Sequence, residues 1–399
     1  MKEGWEYKTL GEITTSINGL WKGKKEPFVN IGVIRNANFT KEITLDFSNI
    51  VYLDVEEKQF KARQLQKGDL IVEKSGGSEK QPVGRTVLFN EESGSFSVSN
   101  FTSILRINKQ NEIIPEFLYK YLLYIYREGK TKEMQNAATG IHNIIYDKFL
   151  SIQVPISPLS EQHRIVEYLD TQFAKIDALK TNAEQQLQAA KDLFQSALKD
   201  LMTPKEGWKM KNLGEVGVFS RGGNFTKSDF VENGIPCIHY GQIHMRFGVT
   251  TEKCLTYLPY DFPKIKYAQT GDLIIAITSE DDEGSCKCTA WLGKENVAVG
   301  GHIAVFHHQL DPVFMSYFFM SPSFQKDKLE FTHGFKVVEI KPCDIAKIKI
   351  AFPTMEGQKG IVQQLDKINV LIENLKRNYE QTLTLCNDLK QSLLKKIFE

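Results

Sequence analysis

Lys2-Glu3-Gly4-Trp5-Glu6-Tyr7-Lys8-Thr9-Leu10-Gly11-Glu12-Ile13 returns half a chain later as Lys205-Glu206-Gly207-Trp208-Lys209-Met210-Lys211-Asn212-Leu213-Gly214-Glu215-Val216. The register holds further in. Gly68-Asp69-Leu70-Ile71 matches Gly271-Asp272-Leu273-Ile274, Pro27-Phe28-Val29 matches Pro236-Cys237-Ile238, and the turn at Thr139-Gly140 matches His333-Gly334. Each half then reaches a proline in an apolar run, at Pro155 and Pro353, followed by Ile165-Val166 with Leu169-Asp170 and by Ile361-Val362 with Leu365-Asp366. Blocks matched in one order mean that a whole domain was duplicated. The period is far too long for a solenoid. A tandem duplicate suits a partner with two-fold symmetry of its own, and duplex DNA is the commonest.

At 399 residues the chain is long enough for two or three domains. Its 41% hydrophobic and 25% charged residues are those of an ordinary globular protein. No apolar run approaches the ~20 residues of a membrane span, and Met1-Lys2-Glu3-Gly4-Trp5 lacks the apolar core of a signal peptide. A cytoplasmic location is therefore expected, with no membrane partner. The net charge of +1 decides nothing about nucleic acid, because local patches make the phosphate contacts. All six cysteines lie in the second half, which fits reduced thiols better than a disulfide framework shared by both copies. Cys286-x-Cys288 with His302, His307 and His308 has the wrong spacing for zinc and no counterpart in the first half, so no metal site is expected.

The expected fold is α+β. Two mixed domains, 1–155 and 204–353, are each followed by a long helical arm, 156–203 and 354–399. Short apolar runs at Phe28–Ile34, Leu70–Val72, Thr86–Phe89 and Phe101–Ile107 read as strands. Pro115–Tyr126 and Pro312–Met320 read as helices opened by proline. In the first arm Leu169, Ile176, Ala183, Ala190 and Ala197 recur every seven residues; Phe173, Leu187, Phe194 and Leu201 follow four further on, with Lys180 as the gap. In the second, Ile361, Ile368, Leu375 and Leu389 occupy one position and Leu365, Ile372, Tyr379, Cys386 and Leu393 the other. A heptad stripe of this length predicts two helices about 60 Å long packed antiparallel on each other, in pseudo-two-fold fashion. The simpler alternative packs each arm on its own domain. Leu179, Leu193, Leu371 and Leu385 lie off the stripe and are read either as a wider core or as a docking face.

These residues resemble the specificity subunits of type I restriction–modification enzymes over essentially the whole chain. The marks are the Gly-Trp-x-x-x-x-Leu-Gly-Glu opening of both repeats, the join Val154-Pro155-Ile156-Ser157-Pro158-Leu159-Ser160-Glu161-Gln162-His163-Arg164-Ile165, and the run Gly234-Ile235-Pro236-Cys237-Ile238-His239-Tyr240-Gly241-Gln242-Ile243. The second join departs from the pattern, since Gly357 interrupts the Glu-Gln pair. The resemblance implies two target-recognition domains, each reading half of a split duplex DNA site. It implies arms that bind two adenine-N6 methyltransferase subunits, with ATP-dependent restriction and translocation subunits joining them. S-adenosylmethionine, ATP and Mg are then cofactors of those partners, with none bound by this chain.

The residues themselves carry no catalytic motif. Asp311-Pro312-Val313-Phe314 lacks the second proline of an amino-methyltransferase motif, and Gly76-Gly77-Ser78-Glu79-Lys80 lacks phosphate-loop spacing. DNA reading needs cations for phosphates and forked donors and acceptors for base edges. The loop from Lys74 and Ser75 through Lys80 to Arg85 supplies them; its counterpart offers Ser279 and Lys287, and the acidic run Glu280-Asp281-Asp282-Glu283 between them either accepts from cytosine N4 or, on the favoured reading, is solvated. Further candidates are Asn30, Arg35, Asn36 and Asn38 in the first repeat and His239, Tyr240, Gln242, His244 and Arg246 in the second. His142, Asn143 and Lys336 follow the late turns. Each is also an acceptable surface or turn residue. Different loops predict different half-sites, hence an asymmetric target. The competing reading is a scaffold whose arms organise partners and whose domains bind protein or peptide.

Overall fold

The computed structural model describes residues 4–21, 23–92, 94–138, 141–282, 284–332 and 337–399. Two compact units result: Met1–Asn182 with Glu380–Glu399, and Ala183–Tyr379. Chain order does not bound them. Each takes half of each long helix, Leu159–Met202 and Met355–Phe398.

In the first unit, strand Glu6–Thr9 pairs antiparallel with Gln153–Ile156, so the repeat closes on itself. Thr9 then caps the turn Leu10–Ile13: its Oγ1 accepts from Glu12 N, and the Glu12 carboxylate accepts from Thr9 N at 2.6 Å. That exchange holds Leu10 and Ile13 fully buried. A four-stranded sheet follows, ordered Thr14–Asn18, Thr102–Ile107, Leu70–Glu73, Thr86–Leu88. A three-stranded sheet is ordered Val51–Glu56, Phe28–Ile34, Phe96–Val98. Helix Pro115–Arg127 buries Phe117, Leu118 and Tyr121 in the same core.

The second unit repeats the plan. Lys209–Asn212 pairs with Lys349–Phe352 in the equivalent register, and the Glu215 carboxylate accepts from Asn212 N at 2.7 Å. Its main sheet runs Gly217–Arg221, Ile303–His308, Leu273–Ala276, Cys288–Trp291, Thr250–Thr251, with helix Pro312–Met320 packed on it. The Gly-Asp-Leu blocks explain themselves here. Gly68 and Gly271 stand at φ +89° and +94°, where a side chain is strained. Asp69 accepts from Gln66 N and is held by Arg106; Asp272 accepts from Gln269 N and is held by His307 at 2.6 Å.

The helices pair antiparallel inside each unit. In the first, the Cys386 thiol meets the Ile176 carbonyl, Lys390 lies over the Phe173 ring, and Leu394 and Phe398 share a core with Leu169 and Phe173. In the second, Phe194, Leu198 and Met202 share a core with Ile361, Val362 and Leu365. Each helix end also packs on the globular core, Phe398 against Tyr121 at 5.3 Å and Phe194 against Tyr317 at 6.1 Å. Lys180, the gap in the stripe, donates to Glu42 at 2.7 Å.

The heptad count goes wrong at the helix ends. Leu389 is 48% exposed, and Leu201 and Leu393 are only half-buried, whereas Leu198 and Leu394 are fully buried. The cause is geometric. Buried positions 194, 198, 202 and 386, 390, 394, 398 step by four residues. Such steps walk the stripe around the helix, so that it faces the globular core as well as the partner helix.

The second join is also resolved. Gln162 is fully buried, accepting from Ile114 N and donating to the Glu112 and Ser157 carbonyls. Gln358 does the same work, accepting from Asp311 N at 2.8 Å and donating to the Pro353 carbonyl at 3.0 Å. The glutamine that clamps the helix start is therefore kept. Gly357 replaces only the half-buried glutamate, Glu161 of the first join, at a place where a Cβ would stand 2.8 Å from Pro353 Cβ.

Candidate nucleic-acid interface

In the first unit the strand Ser75–Gly77 leaves the main sheet directly after Glu73 and pairs with Ile141–Ile144. That pairing sets His142 opposite Gly77 and Asn143 opposite Ser75. Asn36 Nδ2 donates to the Ser75 carbonyl at 2.6 Å. Three segments distant in sequence thus meet: Arg35–Asn36, Lys74–Ser75 and His142–Asn143. Lys80 is exposed in a turn closed by Ser78 N donating to Gln81 O at 2.8 Å. Lys74 is half-buried, its ammonium donating to Asn18 Oδ1 at 2.8 Å, and burial pushes its pKa down. Asn30 is exposed near the opposite end of its strand, bound to Asp54 Oδ1 at 2.8 Å, and does not join the cluster.

Two candidates of this unit are structural. Asn38 is 1% exposed; its oxygen accepts from Arg35 N and its amide donates to the Asp46 and Asn49 carbonyls. Arg85 is buried and forms a two-bond ion pair with Glu73 at 2.7 and 2.9 Å, stacked over Phe39. Neither can reach a base edge without leaving an uncompensated buried partner.

In the second unit Thr278–Ser279 leaves the main sheet and pairs with Val338–Glu339. Helix Tyr240–Met245 is tied to it, with His244 Nε2 3.1 Å from the Thr278 carbonyl and Lys287 Nζ donating to the His244 carbonyl at 2.7 Å. Tyr240 sits among rings, 5.2 Å from His302 and 6.1 Å from His244. Arg246 is exposed at the helix end. His239 is buried and caps the helix, its Nδ1 accepting from Gly241 N; burial, with the charges of Lys227 and His302, pushes its pKa down. Gln242 is a second structural residue, its oxygen taken by His239 N and its amide by Thr256 Oγ1. The acidic loop is a turn closed on Asp281, which accepts from Gly284 N at 2.7 Å, and Asp281 N donates to the Ser279 hydroxyl. Lys336 and the turns Thr139-Gly140 and His333-Gly334 lie outside the described residues.

Reading by residue type missed one equivalent position. The turn before the strand Thr102–Ile107 carries Phe101, half exposed, whose carbonyl accepts from Lys74 N at 2.9 Å. The turn before Ile303–His308 carries His302. Aligning those two turns through the repeat marks both. Cys286 and Cys288 lie in the apolar core, where burial pushes both thiols up, Cys286 to about 12. Among the described residues no helix is long and apolar enough to cross a membrane.

Comparison with known proteins adds the following. The profile of the type I restriction modification DNA specificity domain matches residues 2–189 and 205–384. The chain is 25% identical over 428 residues to the type I restriction enzyme EcoKI specificity subunit of Escherichia coli K12, covering 100% of this chain and 89% of that one. It is 25% identical over 308 residues to the MjaVIII specificity subunit of Methanocaldococcus jannaschii, covering 70% and 69%. Among solved structures, a chain from work on assembly and conformational transition of the type I R-M system superposes with TM-score 0.77 at 18% identity, covering 100% and 98%. The HsdS subunit of Thermoanaerobacter tengcongensis follows at TM-score 0.54 and 19% identity, covering 100% and 97%.

Proposed function

The chain belongs to the type I restriction modification DNA specificity family, and from that premise we propose that it is the sequence-reading subunit of such an enzyme, without catalysis of its own. Each repeat reads one half of a split, asymmetric duplex site. The carrying observation is the convergence of three remote segments at Asn36, Ser75 and Asn143 in the first unit. The corresponding place in the second unit holds other chemistry, the rings of Tyr240, His244 and His302 beside Lys287. Surfaces so unlike in donors and acceptors favour unlike bases. Lys80 and Arg246 supply exposed cations for phosphates.

The arms seat two copies of an adenine-N6 methyltransferase subunit, and ATP-dependent restriction and translocation subunits join that assembly. Leu179, Leu193, Leu371 and Leu385 support this reading, because all four are exposed on the long helices. S-adenosylmethionine, ATP and Mg belong to the partners.

The test is a gel shift of duplexes with this chain alone and with its methyltransferase partner. Tight, sequence-selective binding is expected of the assembled complex. Equal affinity of that complex for every duplex would overturn the proposal, and methyl transfer by the isolated chain would overturn the absence of catalysis.

A further inference from the structure

Beside the convergence point in the first unit lies a cleft of about 350 Å³. Its floor is apolar and buried, made by Leu20, Val33 and Val55. Its walls are Leu53 and Phe101, 44% and 50% exposed. Arg35 and Asn36 stand at its rim. Exposed apolar surface of this kind, rimmed by polar groups, marks a ligand or partner site.

Two observations say what covers it. The cleft is continuous with the candidate recognition surface, because the Phe101 carbonyl accepts from Lys74 N and the Asn36 amide holds the Ser75 carbonyl. Its polar lining is also incompletely used. Asn36 Oδ1, Arg35 Nε and Ser99 Oγ are buried with no hydrogen-bond partner. In the major groove one base pair offers an apolar knob next to hydrogen-bonding edges: the 5-methyl group of thymine, beside its O4 and the N6 and N7 of the paired adenine.

We propose that this cleft is a thymine-reading subsite of the first repeat: the 5-methyl enters between Leu53 and Phe101, and Asn36 and Arg35 face the polar edge of the same or the next pair. The inference rests on the DNA-reading function proposed above. It belongs to one repeat only. The position of Phe101 is taken in the second repeat by His302, which faces Tyr240 rather than an apolar wall.

The experiment uses the chain assembled with its methyltransferase partner. The target is first read from the positions of methylated adenine in host DNA. Duplexes are then made in which each thymine of the target is replaced singly by uracil, which lacks only the methyl. One thymine, in one half-site, should matter. Its replacement should weaken binding about fourfold, as burial of one methyl-sized group at ~0.8 kcal/mol implies. Phe101→Ala and Leu53→Ala, both at exposed side chains, should bind the thymine duplex more weakly and no longer distinguish it from the uracil duplex. The subsite is overturned if no single uracil weakens binding, or if the discrimination survives in both variants. That failure differs from failure of the DNA-reading function, which would show as equal binding to the target and to a shuffled duplex.

Discussion

Lys390 holds its ammonium 2.5 Å from the Asp177 carboxylate while itself only 5% exposed. The pair is not isolated. Glu42, on the loop that follows Arg35–Asn38, lies 3.8 Å from Lys390, 3.8 Å from Arg127 and 2.7 Å from Lys180. Burial alone would raise the Glu42 pKa, but the Lys180 hydrogen bond and the three cations outweigh it and hold it below the ordinary value. Removing Lys390 takes the ion-pair partner of Asp177 and one of the three cations around Glu42. Lys390→Ala should lower the stability of the first unit by roughly 2 kcal/mol, less than a fully buried pair because Asp177 is half exposed. Lys390→Met, which keeps the stem over Phe173, should lose less. Urea midpoints of the full chain measure both.

Register at the helix ends is tested by two leucines five residues apart. Leu394→Ala should cost about 2–5 kcal/mol, since it empties a fully buried site. Leu389→Ala should cost under about 0.5 kcal/mol. A seam following the heptad would reverse that order in thermal unfolding.

The candidate DNA surface divides by burial. Lys80→Ala should leave the fold intact and reduce the salt dependence of DNA binding by about one counterion, a slope change near 0.9. Arg85→Ala should instead destabilise the first unit by about 3–5 kcal/mol, because Glu73 is left charged in the core. Salt-titrated binding and chemical denaturation separate the two outcomes.

Acid should unfold the second unit through one ring. Burial pushes the His308 pKa down to about 4. The unfolded chain takes up that proton near pH 6.5, the native one only near 4. Stability is therefore complete above about pH 6.5 and falls with pH through the interval, by up to about 3 kcal/mol. The first repeat has Ile107 at this place, paired with Thr14 as His308 is paired with Gly217. His308→Ile should remove that part of the acid sensitivity in melting curves taken from pH 7 to 4.

Long-period features were legible in the sequence. The duplication, the strand at Phe28–Ile34 and the helix at Pro312–Met320 follow from repeated blocks, alternation and a first-turn proline. What the sequence hid was side-chain employment. Asn38, Arg85 and Gln242 have the forked groups that read bases, and the same forks serve backbone amides and a buried carboxylate here. Residue type is silent on which use applies, since burial depends on strands far away in the chain. Gln358 was obscured differently: the glycine before it breaks the dipeptide pattern, while the clamp needs only the glutamine.

The pairing of Glu6–Thr9 with Gln153–Ile156, and of Lys209–Asn212 with Lys349–Phe352, brings the two borders of each repeat side by side. A segment with neighbouring borders is a cassette. It can be cut out and replaced by another of different loop chemistry while its seat on the long helix stays as it was. Under the DNA-reading function proposed above, exchanging such a cassette would change the preference of one repeat in a single step.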